Sequence, residues 1–392
     1  MDFEFATAQR ILFGRGALRR LGEAASGLGR RVFVVRGGAY LEQSGTLDTL
    51  SDTLRKAGIP VVFHPVRGEP SVADVEDALG RARAEGCDMV AGVGGGAALD
   101  LAKAVAGLLH GAGSVHDNLE VVGKGLPVVP PAAPLIAIPT TAGTGSEATR
   151  NAVITCTDPP CKASIRSIHL LPRVALVDPE LARTVPPDVT ASTGLDAVAQ
   201  LIEPYVSRKA GPLTDLLARE GLRRAVRALP RAFADGGDLD AREDMALAAL
   251  WSGMCLANAG LGAVHGFAAP LGARFGIPHG TACAALLAPV MAANVAAMRA
   301  RFPGSPALAR YAEVGRVLAG RTNLREGEAP AAGVAALESL TGKLGIPRLS
   351  AFGVTDAAVA LLVEQARATS SIRNNPVELT EEELAACLRK AM

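Results

Sequence analysis

The chain has 392 residues, of which 49% are hydrophobic, so it can bury a large core and divides most simply into two domains. Its 40 Lys and Arg residues against 39 Asp and Glu leave a net charge of +1, which excludes the basic surface typical of nucleic-acid-binding proteins. Aromatic residues make up only 4% of the chain, which argues against a surface on which bases stack. We therefore expect no nucleic-acid partner.

The cysteines, the N-terminus and the most apolar stretch indicate the compartment. The six cysteines are scattered and form no CxxC pair, which is typical of reduced thiols in a cytoplasmic protein. Residues 1–10 lack the apolar segment of a secretory signal. Residues 281–298 are apolar but contain Pro289 and Asn294, which favours a buried core helix over a membrane span. We expect a cytoplasmic protein without a membrane partner.

The first half of the chain alternates short apolar runs with helical patterns. A short strand, a glycine turn and an amphipathic helix are predicted within residues 12–26. The following strands are predicted at 31–38, 60–65, 88–96 and 134–141, and the helices at 46–57, 71–85 and 97–110. Such alternation predicts a parallel sheet wrapped by helices on both faces, the Rossmann-like α/β architecture of dinucleotide-binding domains.

The pattern changes near residue 186. From there to the C-terminus, alanine- and leucine-rich stretches with helical spacing replace the short strands. Pro186 and Pro187 stand at the change and are predicted to form a hinge or linker. We therefore predict an α/β cofactor-binding domain at 1–185 and an all-α domain at 186–392.

Two loops in the first half are predicted to bind a dinucleotide. The sequence 94-GGG-96 lies between a predicted strand and a predicted helix, where backbone N–H groups and the helix dipole can hold a pyrophosphate. The sequence 139-PTTAGTGSEAT-149 follows the next strand and offers several hydroxyl groups. Loops at adjacent strand ends are what a dinucleotide crevice requires. Lys162 could reach a phosphate, whereas Asp100 and Lys103, as isolated charges, are expected to be solvated.

A metal site is predicted in the second half. Asp196 lies in 193-TGLDAVAQLIEPY-205, and His265 and His279 lie in 265-HGFAAPLGARFGIPHG-280. One carboxylate and two imidazoles with one open position are typical of a catalytic zinc or iron site. The alternative is that both histidines only pack in the core.

With these motifs, the chain resembles the iron-containing (group III) alcohol dehydrogenase family. The motifs that carry the resemblance are GGGxxxD at 94–100, PTTxGTGSE at 139–147, VDP at 177–179, GLDA at 194–197 and PHG at 278–280. The resemblance covers nearly the whole chain. It implies a homodimeric, nicotinamide-dependent enzyme with an α/β domain, a helical domain and a site in the cleft between them, acting on small alcohols or aldehydes.

The resemblance also implies roles for individual residues. Asp196, His265 and His279 match metal ligands and catalytic residues, for iron or zinc. The cofactor-binding positions are Gly37, Gly95, Gly96, Ala97, Asp100, Thr140, Thr141, Thr144 and Lys162. Gly37 stands where relatives that use NAD often carry an acid for the ribose 2′-hydroxyl. Because glycine leaves room for a 2′-phosphate and Arg36 could pair with it, we favour NADPH or dual use of NAD and NADP, although the charge of Glu69 argues against a phosphate.

Two positions depart from the family pattern. Gln200 replaces a metal-binding histidine four residues after Asp196, and Ala269 replaces a histidine four residues after His265. Gln200 can still offer its amide oxygen, a weaker ligand than imidazole, and it is predicted to complete the metal site. Since three protein ligands and water suffice for catalytic zinc, these changes do not abolish the site.

The departures keep alternatives open. A metal-free reductase of an unsaturated keto acid, similar to the maleylacetate reductases, fits the missing imidazoles but not the retained Asp196, His265 and His279. A lyase similar to dehydroquinate synthase would need several basic residues near the site, and 258-NAGLGAVHGFAAPLG-272 has none. A binding or regulatory protein with an inactive site is the remaining alternative. The favoured prediction is an NAD(P)- and metal-dependent alcohol dehydrogenase or aldehyde reductase.

Overall fold

The computed structural model describes residues 3–38, 40–157 and 160–392. The chain divides into two compact units. The α/β unit comprises Ala6–Val185 and Gly236–Ala246, and the helical unit comprises Pro186–Asp235, Leu247–Met392 and the N-terminal segment that ends at Phe5. The two units are described separately below.

The α/β unit is built on a six-stranded sheet in the order β1-β8-β5-β4-β2-β3, and every neighbouring pair is parallel. Its strands are β1 (Arg10–Phe13), β2 (Val32–Arg36), β3 (Val61–Pro65), β4 (Met89–Gly94), β5 (Leu135–Pro139) and β8 (Val174–Val177). A separate antiparallel hairpin consists of β6 (Asn151–Thr157) and β7 (Pro160–Arg166). Its helices are α1 (Leu21–Ala25), α2 (Tyr40–Gln43), α3 (Thr46–Lys56), α4 (Val72–Ala84) and α5 (Gly96–Leu108). The predicted α/β fold is therefore confirmed.

The central strands form because their residues are apolar on both faces. β2 reads VFVVR and β4 reads MVAGVG, and all of their residues except Arg36 are buried. A strand covered on both sides by helices is apolar without alternation. Phe33 and Val35 belong to one core cluster and Val32 and Val34 to another, as expected for side chains that alternate between the two faces of a sheet.

The packing of α5 on the sheet sets the position of the first glycine loop. A Cβ atom added at Gly92 would lie 2.8 Å from Cβ of Ala102 and 3.1 Å from Cδ2 of Leu99. Glycine in β4 therefore lets α5 approach the strand closely. Gly94 has a φ of +153°, which a residue with a side chain rarely adopts. The chain thus passes from β4 directly into the N-terminus of α5.

The helical unit contains most of the remaining helices. They are α6 (Pro187–Val206), α7 (Pro212–Ala234), α8 (Leu239–Ala259), α9 (Ala263–Phe275), α10 (His279–Arg301), α11 (Pro306–Ala319), α12 (Ala329–Lys343), α13 (Asp356–Ala368) and α14 (Glu381–Ala391). The predicted all-helical second half is confirmed. Pro186 and Pro187 are the N-cap and first residue of α6, where proline is well tolerated because its missing N–H has no helical partner.

The segment Gly236–Ala246, which includes the start of α8, groups with the α/β unit. Arg15 forms ion pairs with Asp240 (2.5 Å) and Glu243 (2.7 Å). Arg242 donates hydrogen bonds to the carbonyl oxygens of Val185 and Gly236. The predicted boundary between residues 185 and 186 therefore differs from the observed division. Amino-acid composition carries no information about these long-range ion pairs and hydrogen bonds, so it could not predict that this segment groups with the α/β unit.

Helix α10 has the length and apolar composition of a membrane-spanning helix, but 78% of its most apolar window is buried inside the protein. This matches the core helix expected for residues 281–298. The six cysteines all lie in the described ranges and are free thiols.

Candidate active site and metal centre

Helix α6 presents three polar side chains of the candidate metal centre. Asp196, Gln200 and Glu203 follow each other at spacings of four and three, which places them on one helical face. They are 1%, 2% and 6% exposed. Gln200 Nε2 donates a hydrogen bond to Asp196 Oδ2 at 3.0 Å. The glutamine at the position of a family histidine therefore orients the aspartate.

His265, near the start of α9, lies between two carboxylates of α6. Its Nδ1 is 2.6 Å from Glu203 Oε2, and its Nε2 is 3.1 Å from Asp196 Oδ1. A carboxylate that accepts the Nδ1–H bond leaves the lone pair of Nε2 free for a metal, a common arrangement for zinc-binding histidines. Glu203 was not among the predicted site residues, although its helical spacing from Asp196 indicates a shared face.

The N-terminus of α9 is held by the same groups. Glu203 Oε1 accepts a hydrogen bond from the N–H of Val264 (2.7 Å), and Asn375 Oδ1 accepts one from the N–H of Ala263 (3.2 Å). The first N–H groups of a helix have no partner within it. A Cβ atom at Gly262 would lie 2.8 Å from Glu203 Oε1, so glycine there admits the carboxylate. Glu203 thus fixes both the backbone and the ring of the segment that carries His265.

Helix α10 begins with the second histidine. His279 Nε2 lies 3.7 Å from Asp196 Oδ1 and 3.7 Å from the sulfur of Cys283, one turn further along α10. One donor atom from each of Asp196, His265, His279 and Cys283 lies within 4.8 Å of all the others. The structure thus brings together Asp196, His265 and His279, three of the four predicted ligands, and adds a cysteine. An HxxxC spacing on one helix was the available sequence signal for Cys283, and it was missed.

The electrostatics of the cluster favour a cation. Burial raises the pKa of Asp196, but the opposing effects of His279, His265 and Gln200 are larger and bring it down to about 2. Its carboxylate is therefore ionised. Burial lowers the pKa of His265, but its interactions with Cys283, Glu203 and Asp196 raise it well above its ordinary value. The site therefore attracts positive charge, either as a proton or as a metal ion.

The donor set fits a divalent metal. With the Nδ1 proton directed at Glu203, Nε2 of His265 faces an oxygen of the ionised Asp196 at 3.1 Å, a pair that is held together by a proton or by a metal ion between the two atoms. The amide oxygen Oε1 of Gln200 is also buried without a hydrogen-bond partner among the described residues. Carboxylate, imidazole and thiol groups are the ligands that zinc and iron bind.

The cofactor loops lie at the carboxyl ends of two neighbouring strands. Gly94 at the end of β4 pairs with Pro139 at the end of β5, and the N–H of Thr140 donates to the Gly94 carbonyl oxygen at 2.9 Å. Helix α5 starts directly after Gly95, and no side chain caps it. A free helix N-terminus of this kind attracts phosphate groups.

The second loop lies against this helix start. A Cβ atom at Gly96 would be 2.9 Å from Cγ2 of Thr144, and one at Gly95 would be 3.4 Å from Oγ1 of Thr141. Thr140, Thr141, Thr144, Gly95, Gly96 and Ala97 are all partly exposed. The structure therefore groups six of the predicted cofactor-binding residues at one edge of the sheet.

Asp100 and Lys103 behave differently from the solvated charges expected of them. Lys103 is fully buried and donates hydrogen bonds to Ser146 Oγ (2.6 Å) and Thr149 Oγ1 (2.7 Å). Asp100 accepts from Ser146 Oγ (2.8 Å) and from the N–H of Val153 (3.2 Å). Burial lowers the pKa of Lys103 to about 8 although Asp100 and Glu147 oppose the shift. Both residues tie α5 to the loop that follows β5, because the hydroxyl groups of that loop replace water around the ammonium group.

At or beside the remaining cofactor positions, Lys162 and Arg36 form ion pairs. Lys162, whose side chain is 6% exposed, lies 2.6 Å from Glu69, and Arg36 lies 2.6 Å from Glu42. The charge of Glu69 is therefore balanced by Lys162. Gly37 is partly exposed and donates from its N–H to the carbonyl oxygen of Val93 at 2.8 Å, which holds it at the end of β2 beside the end of β4.

The aspartate of the VDP motif has a structural role. Asp178, in the VDP motif, accepts hydrogen bonds from the N–H groups of Gly16 (3.1 Å), Leu18 (3.0 Å) and Glu180 (3.1 Å). Asp178 therefore stabilises both the turn after β8 and the turn after β1. The hydrogen-bonding capacity of this buried carboxylate is satisfied by the protein backbone without a ligand.

Comparison with known proteins agrees with this architecture. The family model described as iron-containing alcohol dehydrogenase matches residues 8–179, and that of the C-terminal part of the Fe-containing alcohol dehydrogenase family matches residues 190–392. Long-chain-alcohol dehydrogenase 1 of Geobacillus thermodenitrificans is 37% identical over 96% of this chain and 94% of its own.

Two solved structures show the same likeness. The crystal structure of 1,3-propanediol oxidoreductase has a TM-score of 0.92 and 33% identity and covers all of both chains. That of sulfoacetaldehyde reductase from Bifidobacterium kashiwanohense in complex with NAD+ has a TM-score of 0.85 and 30% identity, and covers 100% of this chain and 99% of that one. These relatives do not favour a metal-free reductase of keto acids. The chain belongs to the iron-containing alcohol dehydrogenase family, whose members are NAD(P)- and metal-dependent oxidoreductases that act on CH–OH groups.

Proposed function

We propose that Asp196, His265 and His279 hold the catalytic metal of this alcohol dehydrogenase, and that the enzyme interconverts small alcohols and aldehydes with NAD(P) as hydride carrier. The observation that carries the proposal is the ionised, buried Asp196 facing two imidazole nitrogens at 3.1 and 3.7 Å. The carboxylate of Glu203 behind His265 supports it, because such a partner raises the basicity of a ligand histidine.

The roles of the residues follow from their environments. When bound, the metal supplies Lewis-acid polarisation of the carbonyl oxygen, and the nicotinamide supplies or accepts the hydride. Asp196 contributes a negative charge that is present at all physiological pH values, and Gln200 holds its orientation. His279 is the partly exposed member of the cluster, with a side chain 36% accessible. It is therefore the ligand nearest to solvent and to an entering substrate.

Proton transfer at this site differs from that of relatives with a second histidine on α9. Ala269 follows His265 by one helical turn and has no titratable group. Position 269 therefore supplies no acid or base, and the alcohol proton would be exchanged with water or with the ribose of a bound cofactor. Losing a positioned acid typically lowers the rate by about 10²- to 10⁴-fold, so Ala269→His is expected to raise kcat if the proton step limits turnover.

For the cofactor, we propose that the start of α5 binds the pyrophosphate and that the threonine loop contacts the nicotinamide half. Gly37, Asp100 and Lys162 remain part of this proposed site, Asp100 through the loop it supports. We favour NADPH or dual use, because Gly37 offers no carboxylate to a ribose and Arg36 is beside it. The present ion-pair partner of Arg36 is Glu42, whose side chain is 55% exposed. An exposed ion pair of this kind is weak, so Arg36 can exchange it for a phosphate.

The cofactor proposal can be tested with two glycine variants. Gly37→Asp adds an acid where a Cβ atom meets Gly94 Cα at 3.3 Å, whereas Gly38→Asp adds the same charge in open space. We expect Gly37→Asp to lower kcat/KM for NADPH relative to NADH, and Gly38→Asp to leave that ratio nearly unchanged. A ratio that strongly favours NADH in the unmodified protein would contradict the preference.

The substrate class is proposed from the relatives. They are named for a long-chain alcohol, 1,3-propanediol and sulfoacetaldehyde, and these share a primary alcohol or aldehyde carbon. We therefore propose a primary alcohol or aldehyde of small to medium size as substrate. We also propose a cytoplasmic homodimer, as the resemblance implies.

The proposal is tested by metal content and turnover measured together. Protein purified without chelators and without a histidine tag should contain about one zinc or iron per chain and reduce short aldehydes. Asp196→Ala should lose both, whereas Asp188→Ala, which removes an exposed aspartate from the first turn of the same helix, should keep both. Metal-free protein with full activity would refute the proposal.

A further inference from the structure

Cys283 is a fourth donor in the metal cluster. It follows His279 by four residues on α10, so both side chains project from one helical face, and it is completely buried. Its sulfur belongs to the set of four donor atoms that lie within 4.8 Å of one another. Cys255, equally buried in the helical unit, instead lies with its sulfur 3.4 Å from the carbonyl oxygen of Thr214.

Three distances between these atoms are close to those of tetrahedral coordination. Metal–nitrogen bonds of about 2.05 Å and metal–sulfur bonds of about 2.3 Å at the tetrahedral angle put the nitrogen and sulfur atoms about 3.6 Å apart. The distance from His279 Nε2 to Cys283 Sγ is 3.7 Å. Two nitrogen or oxygen ligands would lie about 3.3 Å apart by the same geometry, and Asp196 Oδ1 lies 3.1 Å from His265 Nε2 and 3.7 Å from His279 Nε2.

We propose that Cys283 is the fourth protein ligand of the metal, as a thiolate, and that the resulting Asp–His–His–Cys site selects zinc over iron. This inference rests on the proposed function of Asp196, His265 and His279. On binding, the sulfur gives its proton to solvent and forms the bond to the metal with its electron pair, and no electron is transferred. Cys283 thus takes the place left open by the family histidine that is Gln200 here.

Gln200 is less suited to this place. Its amide directs its N–H group at Asp196 Oδ2, so it acts as a donor that orients a ligand. Its buried oxygen has no partner among the described residues, but a neutral amide oxygen binds zinc more weakly than a thiolate, which is a soft donor that zinc prefers. We therefore assign Gln200 to positioning Asp196.

Cobalt substitution tests the inference directly. Co²⁺ bound by a thiolate shows a sulfur-to-metal charge-transfer band in the near ultraviolet, which oxygen and nitrogen ligands do not produce. We expect the unmodified protein loaded with Co²⁺ to show this band, Cys283→Ala to lose it, and Cys255→Ala to retain it. Gln200→Leu should also retain it, because Gln200 is not the fourth ligand.

The outcomes separate this inference from the proposed function. Stoichiometric cobalt without the band, or a band that survives Cys283→Ala, would overturn the thiolate ligand and leave the metal site of Asp196, His265 and His279 intact. Failure of the unmodified protein to bind cobalt or zinc would overturn both. In zinc titrations, we expect Cys283→Ala to lower the zinc affinity by about 100-fold or more. Loss of a residue that only hydrogen-bonds to a ligand already lowers metal affinity by about 10- to 100-fold. Cys255→Ala should leave the zinc affinity unchanged.

Discussion

Glu203 should control metal affinity although it is not a ligand, and Glu203→Gln tests this. The glutamate oxygens accept hydrogen bonds from Val264 N–H (2.7 Å) and from His265 Nδ1 (2.6 Å). In the glutamine variant, the amide oxygen can keep the bond to Val264, but its NH₂ group then faces Nδ1. Because NH₂ only donates, the ring proton of His265 must move to Nε2.

The magnitude follows from this change of tautomer. A protonated Nε2 donates to Asp196 Oδ1, 3.1 Å away, and has no lone pair for a metal. Metal binding would then require the tautomer that conflicts with the amide. Loss of such partners typically lowers metal affinity by about 10- to 100-fold, which corresponds to about 1.4 to 2.8 kcal/mol.

The assay is zinc affinity measured by competition with a chelator, with thermal unfolding of the metal-free protein measured in parallel. Glu383→Gln is the matched control, because Glu383 is also a carboxylate of the helical unit that accepts both a backbone N–H, from Thr380, and a side-chain bond, from Arg301. It should lower the unfolding temperature without changing zinc affinity. An unchanged zinc affinity in folded Glu203→Gln would refute the reasoning.

Three further predictions concern stability. Burial raises the pKa of Glu147 to about 7. As pH rises, Glu147 therefore loses its proton in the unfolded chain at a lower pH than in the folded protein. Its burial makes the free energy of unfolding fall by on the order of 3 kcal/mol as pH rises from about 4.5 to about 7. Glu147→Gln should remove that fall in urea unfolding followed across this range, and an unaltered pH profile would contradict the assignment. Lys103→Met should destabilise the protein by on the order of 1–3 kcal/mol for each buried polar group left unpaired and weaken NADPH binding in fluorescence titrations; wild-type cofactor affinity would show that the loop does not depend on Lys103. Gly280→Ala places a Cβ atom 2.5 Å from the carbonyl oxygen of Ser192, so it should lower both the unfolding temperature and zinc affinity, whereas Gly342→Ala, with nothing within 4 Å, should do neither.

Much of the α/β unit could be predicted from the sequence because its signals are local. Continuous apolar runs that end in glycine predict buried parallel strands, and β2, β4 and β5 lie within the predicted ranges 31–38, 88–96 and 134–141. The two cofactor loops followed from the same pattern, since parallel strand ends share one edge of a sheet.

The elements that were missed depend on distant partners. Strand β8 has four residues and is defined by its pairing with β1 and β5. The hairpin of β6 and β7 was not predicted, and β6 supplies the Asn151 carbonyl oxygen that accepts a hydrogen bond from Lys103. Short strands carry little propensity of their own, so tertiary pairing decides them.

The metal site divides in the same way. Residue types and their spacing were enough to predict which residues can bind a metal and which of them share a helical face, because residue type and a period of 3.6 are local properties. The contacts of Glu203 with His265, of Gln200 with Asp196 and of Cys283 with the cluster could be found only in the folded chain. Those roles arise where α6, α9 and α10 converge, and hydrogen bonds and coordination act only over a few ångströms between segments far apart in the chain.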